Sequence, residues 1–377
     1  MKGMMVKLVI FIACLVVGLF LAHRSIDQPQ FQITNIKTLS GKPIFRSQVI
    51  PQPSFLQFSH SATITALPNG GLLAFWFGGS REGSPDVKIW QSEFTSHGWS
   101  LARPILSNYS LMHDLGAYVS KLGNPVVYLA RDGVLHLFVV SVSIGGWGGA
   151  SINHLKSLDY GVTWGKAEKL ITSPFINIST LARSTPIELS DGGFYLPVYH
   201  EFIRTYPEIL RFNARGEFIE QRKISSFNSL LQPTLVVVTA STAYAYMRNN
   251  GRINRKLYRL ETHDGGIHWG NLIATNLNSY DSSLAVNRIE SGALMMAYNV
   301  KARSTLVIAI SHDGLNWQPQ KIIESYTGSD YAEFSYPTVI NHDGMINLVY
   351  TWYIKGSPHV IKYAQFNKEW LFESVVP

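Results

Sequence analysis

The chain has 377 residues, 32 Lys and Arg against 25 Asp and Glu, and a formal net charge of +7. Charged residues make up only 15% and aromatics 12%, with 30 glycines, a balance that excludes a disordered, coiled-coil or collagen-like chain. The single cysteine, Cys14, excludes a disulfide scaffold.

The chain opens with Lys2 and Lys7 ahead of an apolar run over residues 8–22, followed by His23 and Arg24. A basic start and an apolar stretch of this length read as a secretory signal or an uncleaved signal anchor. The anchor is preferred, because Phe20 and Leu21 before Ala22 make a poor cleavage site. Residues 1–24 are therefore assigned to targeting, and the expected location is extracytoplasmic, membrane-anchored or secreted. Cys14 lies in a poor lipidation motif and reads as a plain apolar residue. Without Lys2, Lys7 and Arg24 the remainder carries 29 basic and 25 acidic residues, a net +4. With no Lys/Arg run, a nucleic-acid partner is not expected.

From there on, short apolar runs rich in Val, Ile and aromatics alternate with Gly, Asp and Asn turns, as at residues 71–77, 134–140 and 346–352. A phrase recurs: Ser157-Leu-Asp159-Tyr-Gly161-Val-Thr163-Trp164, then Thr262-His-Asp264-Gly-Gly266-Ile-His268-Trp269, then Ser311-His-Asp313-Gly314-Leu-Asn316-Trp317. The aspartate caps turn amides, the glycine supplies positive φ and the tryptophan plugs the space beneath. A degenerate copy ends at Trp99, an unmarked one is expected near Asn213 to Gly216, and the long first interval leaves room for an insertion at residues 107–120. A repeat near fifty residues, each holding about four strands, predicts propeller blades. The length then accommodates six, so the expectation is an all-β, six-bladed propeller over residues 40–370.

The aspartate turn resembles the Asp-box, or BNR, repeat of sialidases. More closely, the chain is similar to bacterial sialidase-like (predicted neuraminidase) proteins. The residues that carry this are His60-Ser-Ala-Thr63, Phe77-Gly-Gly-Ser-Arg81-Glu-Gly-Ser-Pro-Asp86, Gly123-Asn-Pro125, Leu231-Gln-Pro233, Ser279-Tyr-Asp281 and Glu333-Phe-Ser-Tyr-Pro337. The resemblance implies a sugar carboxylate clamped by arginines, a tyrosine nucleophile activated by a glutamate, and an aspartate acid/base. Clustered guanidinium groups suit that anion because they bind carboxylate in a bidentate way.

Carried over residue by residue, Arg248 and Arg303 match two of the arginines, Asp86 the acid/base and Tyr336 the nucleophile. His60 stands where the first arginine is expected, and Gln232 where the glutamate is. Arg81 is a substitute carboxylate contact and Glu333 a substitute base. His60 and Arg81 also make a possible acid/base pair for another acidic sugar. Asn124 and Trp147 are further candidate substrate contacts, the second by stacking on a sugar ring. His200 and Glu201 read as a surface pair at a strand end, and Trp164, Trp269 and Trp317 as structural plugs. No metal or cofactor is expected, since zinc spacing, a P-loop, a Rossmann fingerprint and a nucleophile elbow are all missing. Three functions follow: a sialidase-like hydrolase on an acidic glycan, a uronate polysaccharide lyase, or a non-catalytic glycan-binding propeller.

Overall fold

The computed structural model describes residues 28–37, 41–172, 177–251, 255–290 and 292–373. The targeting segment assigned to residues 1–24 lies outside them. Among the described residues no helix is long and apolar enough to cross a membrane.

Six antiparallel sheets follow one another along the chain, a six-bladed β-propeller as expected. The innermost strands are Phe58–Ala66, Lys121–Leu129, Thr180–Ala182, Leu230–Val237, Ala285–Glu290 and Ala332–His342. They define blades one to six. The ring is closed by chain from before blade one. Phe45–Val49 pairs antiparallel with Val360–Phe366, so it becomes the outermost strand of blade six. Asn367 fastens this seam, accepting from the Ile44 amide at 2.8 Å and donating to the Lys42 carbonyl at 2.8 Å. The expected insertion carries a helix, Asn108–Leu115, capped by the Ser107 side chain and ended by left-handed Gly116.

The core lies between neighbouring blades rather than within any one of them. One buried cluster joins Met295 and Ile308 of blade five to Phe334 and Leu348 of blade six, and another joins Phe75 of blade one to Leu137 of blade two. The turns between third and fourth strands tie these interfaces. Asp313 Oδ1 accepts from the amides of Leu315 and Asn316, both at 2.8 Å. Those bonds stabilise the carboxylate and hold its titration well below the usual range. Trp317 then turns under the loop, 1% exposed, and meets Tyr246 of blade four edge-on at 5.5 Å.

The same turn latches onto the preceding blade through a carbonyl. The Tyr246 hydroxyl donates to Gly314 O at 2.7 Å, Tyr195 to Gly265 O at 3.0 Å, and Arg103 to Gly161 O at 2.6 Å. Gly314 has φ of +71°, and a Cβ there would sit 2.7 Å from the Tyr246 oxygen, so the latch requires glycine. The turn at Asn213 to Gly216 occupies the matching place in blade three, against His136 of blade two. His136 Nδ1 lies 2.8 Å from His154 Nε2 in the buried space between blades two and three. Burial pushes His136 down to about 4 and His154 to about 2, so the pair is neutral, one ring donating and the other accepting.

Replacing Tyr246 by Phe removes one latch bond and is expected to cost about 1 kcal/mol. Trp317→Ala empties the interface beneath it and is expected to cost about 4 kcal/mol. Chemical denaturation of both variants checks the order. The histidines carry a pH signature. Unfolded, they take up protons below about pH 6.5, whereas folded they resist until about pH 4. Stability is therefore expected to fall as pH drops through that window, and His136→Phe is expected to flatten the dependence in thermal scans.

Candidate functional site

All innermost strands run in the same direction, so their starting ends gather at one mouth of the central channel. Four of them carry the same irregularity there. Between His60 and Thr63, Leu122 and Pro125, Leu231 and Thr234, and Ser335 and Thr338, three steps on the inner strand oppose two on its partner. Each is a bulge that accommodates one extra residue. The prolines Pro125, Pro233 and Pro337 sit where a missing amide hydrogen costs no ladder bond. Ser61, Gln232 and Tyr336 adopt left-handed φ of 58°, 52° and 56° at these bulges. A non-glycine residue held so costs roughly 1–2 kcal/mol, and sites of this kind cluster where function demands a side-chain direction.

The result is a polar cluster around Tyr336. Gln232 Nε2 and Arg248 Nη1 each donate to the Tyr336 hydroxyl oxygen at 3.3 Å. Two N–H donors on one phenolic oxygen favour negative charge developing there. Gln232 Nε2 also reaches the Tyr199 hydroxyl at 3.5 Å, and Arg248 Nε is paired with Asp281 at 2.7 Å. Arg303 pairs with Glu333 at 2.8 Å and donates to the Asp281 carbonyl at 3.1 Å. Glu333 further accepts from Ser335 Oγ at 2.5 Å and Tyr331 Oη at 2.9 Å. Burial alone would raise this carboxyl, but the His60 and Arg303 positions and these bonds outweigh it and bring it down to about 2.

The His60 ring lies 4.3 Å from the Tyr336 ring. Burial, reinforced by Arg303, His359 and Arg183 against the opposing pull of Glu333, lowers His60 to about 3, so the imidazole is neutral near pH 7. Its Nδ1 is buried without a hydrogen-bond partner among the described residues. Beneath the tyrosine, Arg183 crosses the channel from blade three to blade six. It donates to Thr338 Oγ1 at 2.9 Å, to Pro337 O at 3.1 Å and to Tyr336 O, with its guanidinium carbon 5.2 Å from the Tyr336 ring. The strut supports the strained bulge from below.

The sequence-derived candidates thus divide. His60, Gln232, Arg248, Arg303, Glu333 and Tyr336 come together. Arg81 and Asp86 lie in a loop at the same mouth but are engaged within it. Asp86 accepts from the Ser80 amide and hydroxyl at 2.8 and 2.9 Å, and Arg81 Nε reaches Ser84 Oγ at 3.4 Å. Asn124 ties the innermost strands of blades two and three by donating to Ala182 O at 3.2 Å. Trp147 covers the blade-two bulge, where a Cβ on Gly123 would be 2.9 Å from its ring, and Lys121 Nζ stands 4.4 Å from the ring centre.

Five residues of the cluster were not among those candidates: Glu82, Arg183, Tyr199, Glu201 and Asp281. Glu82 and Glu201 carry the unpaired carboxylates. Among the described residues no cation lies within ion-pair distance of either. Desolvation at the pocket wall, with Glu333 acting on Glu82 and Asp281 and Glu82 acting on Glu201, raises both above the usual carboxylate range despite Arg248. Asp281 and Arg183 had a readable signal. Asp281 has φ of 51°, and Arg183 precedes a proline three residues on, as the inner strands of the other blades do.

The BNR repeat-like domain model matches residues 70–348. No curated protein matches the chain. Among solved structures, a protein of unknown function from Dyadobacter fermentans is similar at a TM-score of 0.67 and 13% identity, covering 89% of this chain and 100% of that one. The NanB sialidase of Streptococcus pneumoniae is similar at 0.68 and 10% identity, covering 85% of this chain and 70% of that one. Trypanosoma rangeli sialidase is similar at 0.66 and 15% identity, covering 88% and 60%. At these identities the likeness is one of fold.

Removing Arg303 would leave Glu333 buried and unpaired. Arg303→Met is expected to cost roughly 3 kcal/mol, and adding Glu333→Gln to recover most of it. Because the folded Glu333 carboxyl lies below its unfolded value of 4.5, its contribution is present above about pH 4.5 and lost as pH falls towards 2. Unfolding free energies of the two singles and the double at pH 7 and pH 4 check this.

Proposed function

The chain belongs to the BNR repeat-like domain family, and from that premise we propose a sialidase-like glycoside hydrolase that acts on a carboxylate-bearing sugar at the mouth containing Tyr336. The observation that carries the reading is the pair of N–H donors, from Gln232 and Arg248, on the Tyr336 oxygen. Tyr336 attacks the anomeric carbon, and the donors stabilise its oxygen as the proton leaves. Arg248 and Arg303 hold the sugar carboxylate through the N–H groups not directed at Asp281 and Glu333. Those two protein carboxylates fix the guanidinium planes and moderate their charge.

Leaving-group protonation needs a carboxylic acid that retains its proton near neutrality. Both oxygens of Asp86 are engaged by Ser80, so Glu82, in the same loop and raised by its surroundings, takes that role. The enzyme would work at the extracytoplasmic side, on an acidic glycan. One observation favours a second reading. His60 is a neutral base with an unpartnered Nδ1 beside Tyr336, which suits abstraction of a proton next to a uronate carboxylate. That lyase leaves an unsaturated sugar, whereas hydrolysis leaves a saturated one.

The test is turnover on sialosides and on uronate polymers, with products read for free sugar and for new ultraviolet absorption. Tyr336→Phe is expected to lower kcat/KM at least about 100-fold with the fold intact, and Glu82→Gln to remove the alkaline limb of the pH profile. Unaltered turnover in Tyr336→Phe would sink the hydrolase. Unsaturated product lost in His60→Ala would select the lyase, and binding of acidic glycans with no turnover would select the non-catalytic reading.

A further inference from the structure

The far mouth of the channel, where the innermost strands end, holds a cavity of about 590 Å³ lined by Thr65, Ser184, Thr234, Arg288 and Asn341. That volume is of the size that takes a small ligand. Residues 32–37 line it too, and the chain there is tied down on several sides. Gln32 N donates to Glu188 O at 2.9 Å, Arg131 reaches Gln32 Oε1 at 3.0 Å, Arg288 donates to Thr34 O at 2.7 Å, and Lys37 lies 4.0 Å from Asp343.

Arg183 also lines this cavity, and it is unusual in two ways. Its side chain is 2% exposed, yet among the described residues no carboxylate lies within ion-pair distance. Its two terminal nitrogens are used by Thr338, Pro337 and Tyr336, while Nε is buried with no hydrogen-bond partner. A buried guanidinium with only neutral acceptors is costly, and a buried donor left unmade adds to that cost. A small anion relieves both at once. The lining leans the same way. Lys37, Arg183 and Arg288 face Glu188 and Asp343, and Glu188 is already paired with Arg131 at 2.7 Å.

We propose that this rear cavity is a binding site for a small monovalent anion, seated on Arg183 and bordered by the hydroxyls of Thr65, Ser184 and Thr234. The site is separate from the glycan mouth and does not depend on what is turned over there. It meets that mouth only through Arg183, whose other nitrogens carry the Tyr336 bulge.

Bromide is the probe. Crystals of the full chain soaked in sodium bromide are expected to show an anomalous peak within hydrogen-bond distance of Arg183 Nε. In solution, unfolding temperature is expected to rise saturably with sodium bromide by about 3 °C, and the saturable component to disappear in Arg183→Gln. Should that variant fail to fold, the wild-type crystal and the wild-type titration decide alone. A cavity without an anomalous peak, or a peak with no saturable rise, overturns the proposal.

Discussion

One extra residue near the start of an innermost strand is the constraint on which the pocket rests. A propeller strand that paired regularly would point alternate side chains into its two neighbouring interfaces and give the channel little but backbone. The bulges at 60–63, 231–234 and 335–338 break that alternation and turn Gln232 and Tyr336 towards the axis. The left-handed backbone is strained, so it needs external support. Arg183 supplies it from beneath, by binding the carbonyls of Tyr336 and Pro337. Site chemistry and backbone geometry are the same problem here.

The pocket also sorts its carboxylates by partner. Asp281 and Glu333 are committed to Arg248 and Arg303 and stay ionised. Glu82 and Glu201 are uncommitted and bind protons more readily than a free carboxylate does. A site holding both kinds can position an anion with the first and move a proton with the second. Gln232, where the resemblance leads one to expect a glutamate, adds no charge. It offers a donor to Tyr336 instead of a base, and the neutral imidazole of His60 stands alongside.

The ring was legible because its turns repeat in sequence: an aspartate, a glycine and a tryptophan at fixed spacing have one compact solution, and it recurs. Even the unmarked turn at Asn213 to Gly216 follows from the interval between marked ones. The closing strand was not legible. Phe45–Val49 is exposed along its whole length and shows no apolar alternation, so nothing local distinguishes it from a linker. Within the site, Tyr336, Arg248 and Gln232 were readable from their motifs. Arg183 and Glu201 were not, since spacing along a chain does not report distance from an axis. Asp86 shows the opposite case, a carboxylate in the right loop whose oxygens are spent on Ser80.

The seam in blade six bears on how the protein is made. Its outer strand precedes blade one, while the strand it pairs with ends at Phe366, so the two edges leave the ribosome at opposite ends of synthesis. Blades one to five can dock in order as they emerge, each turn latching onto the blade before it. The last interface must wait for nearly the whole chain. Closing so long a loop adds little entropy cost, because that cost grows only logarithmically with length. The exposed edge of Phe45–Val49 is nevertheless unpaired for that entire interval, and for a nascent chain crossing a membrane it is the segment most in need of shielding.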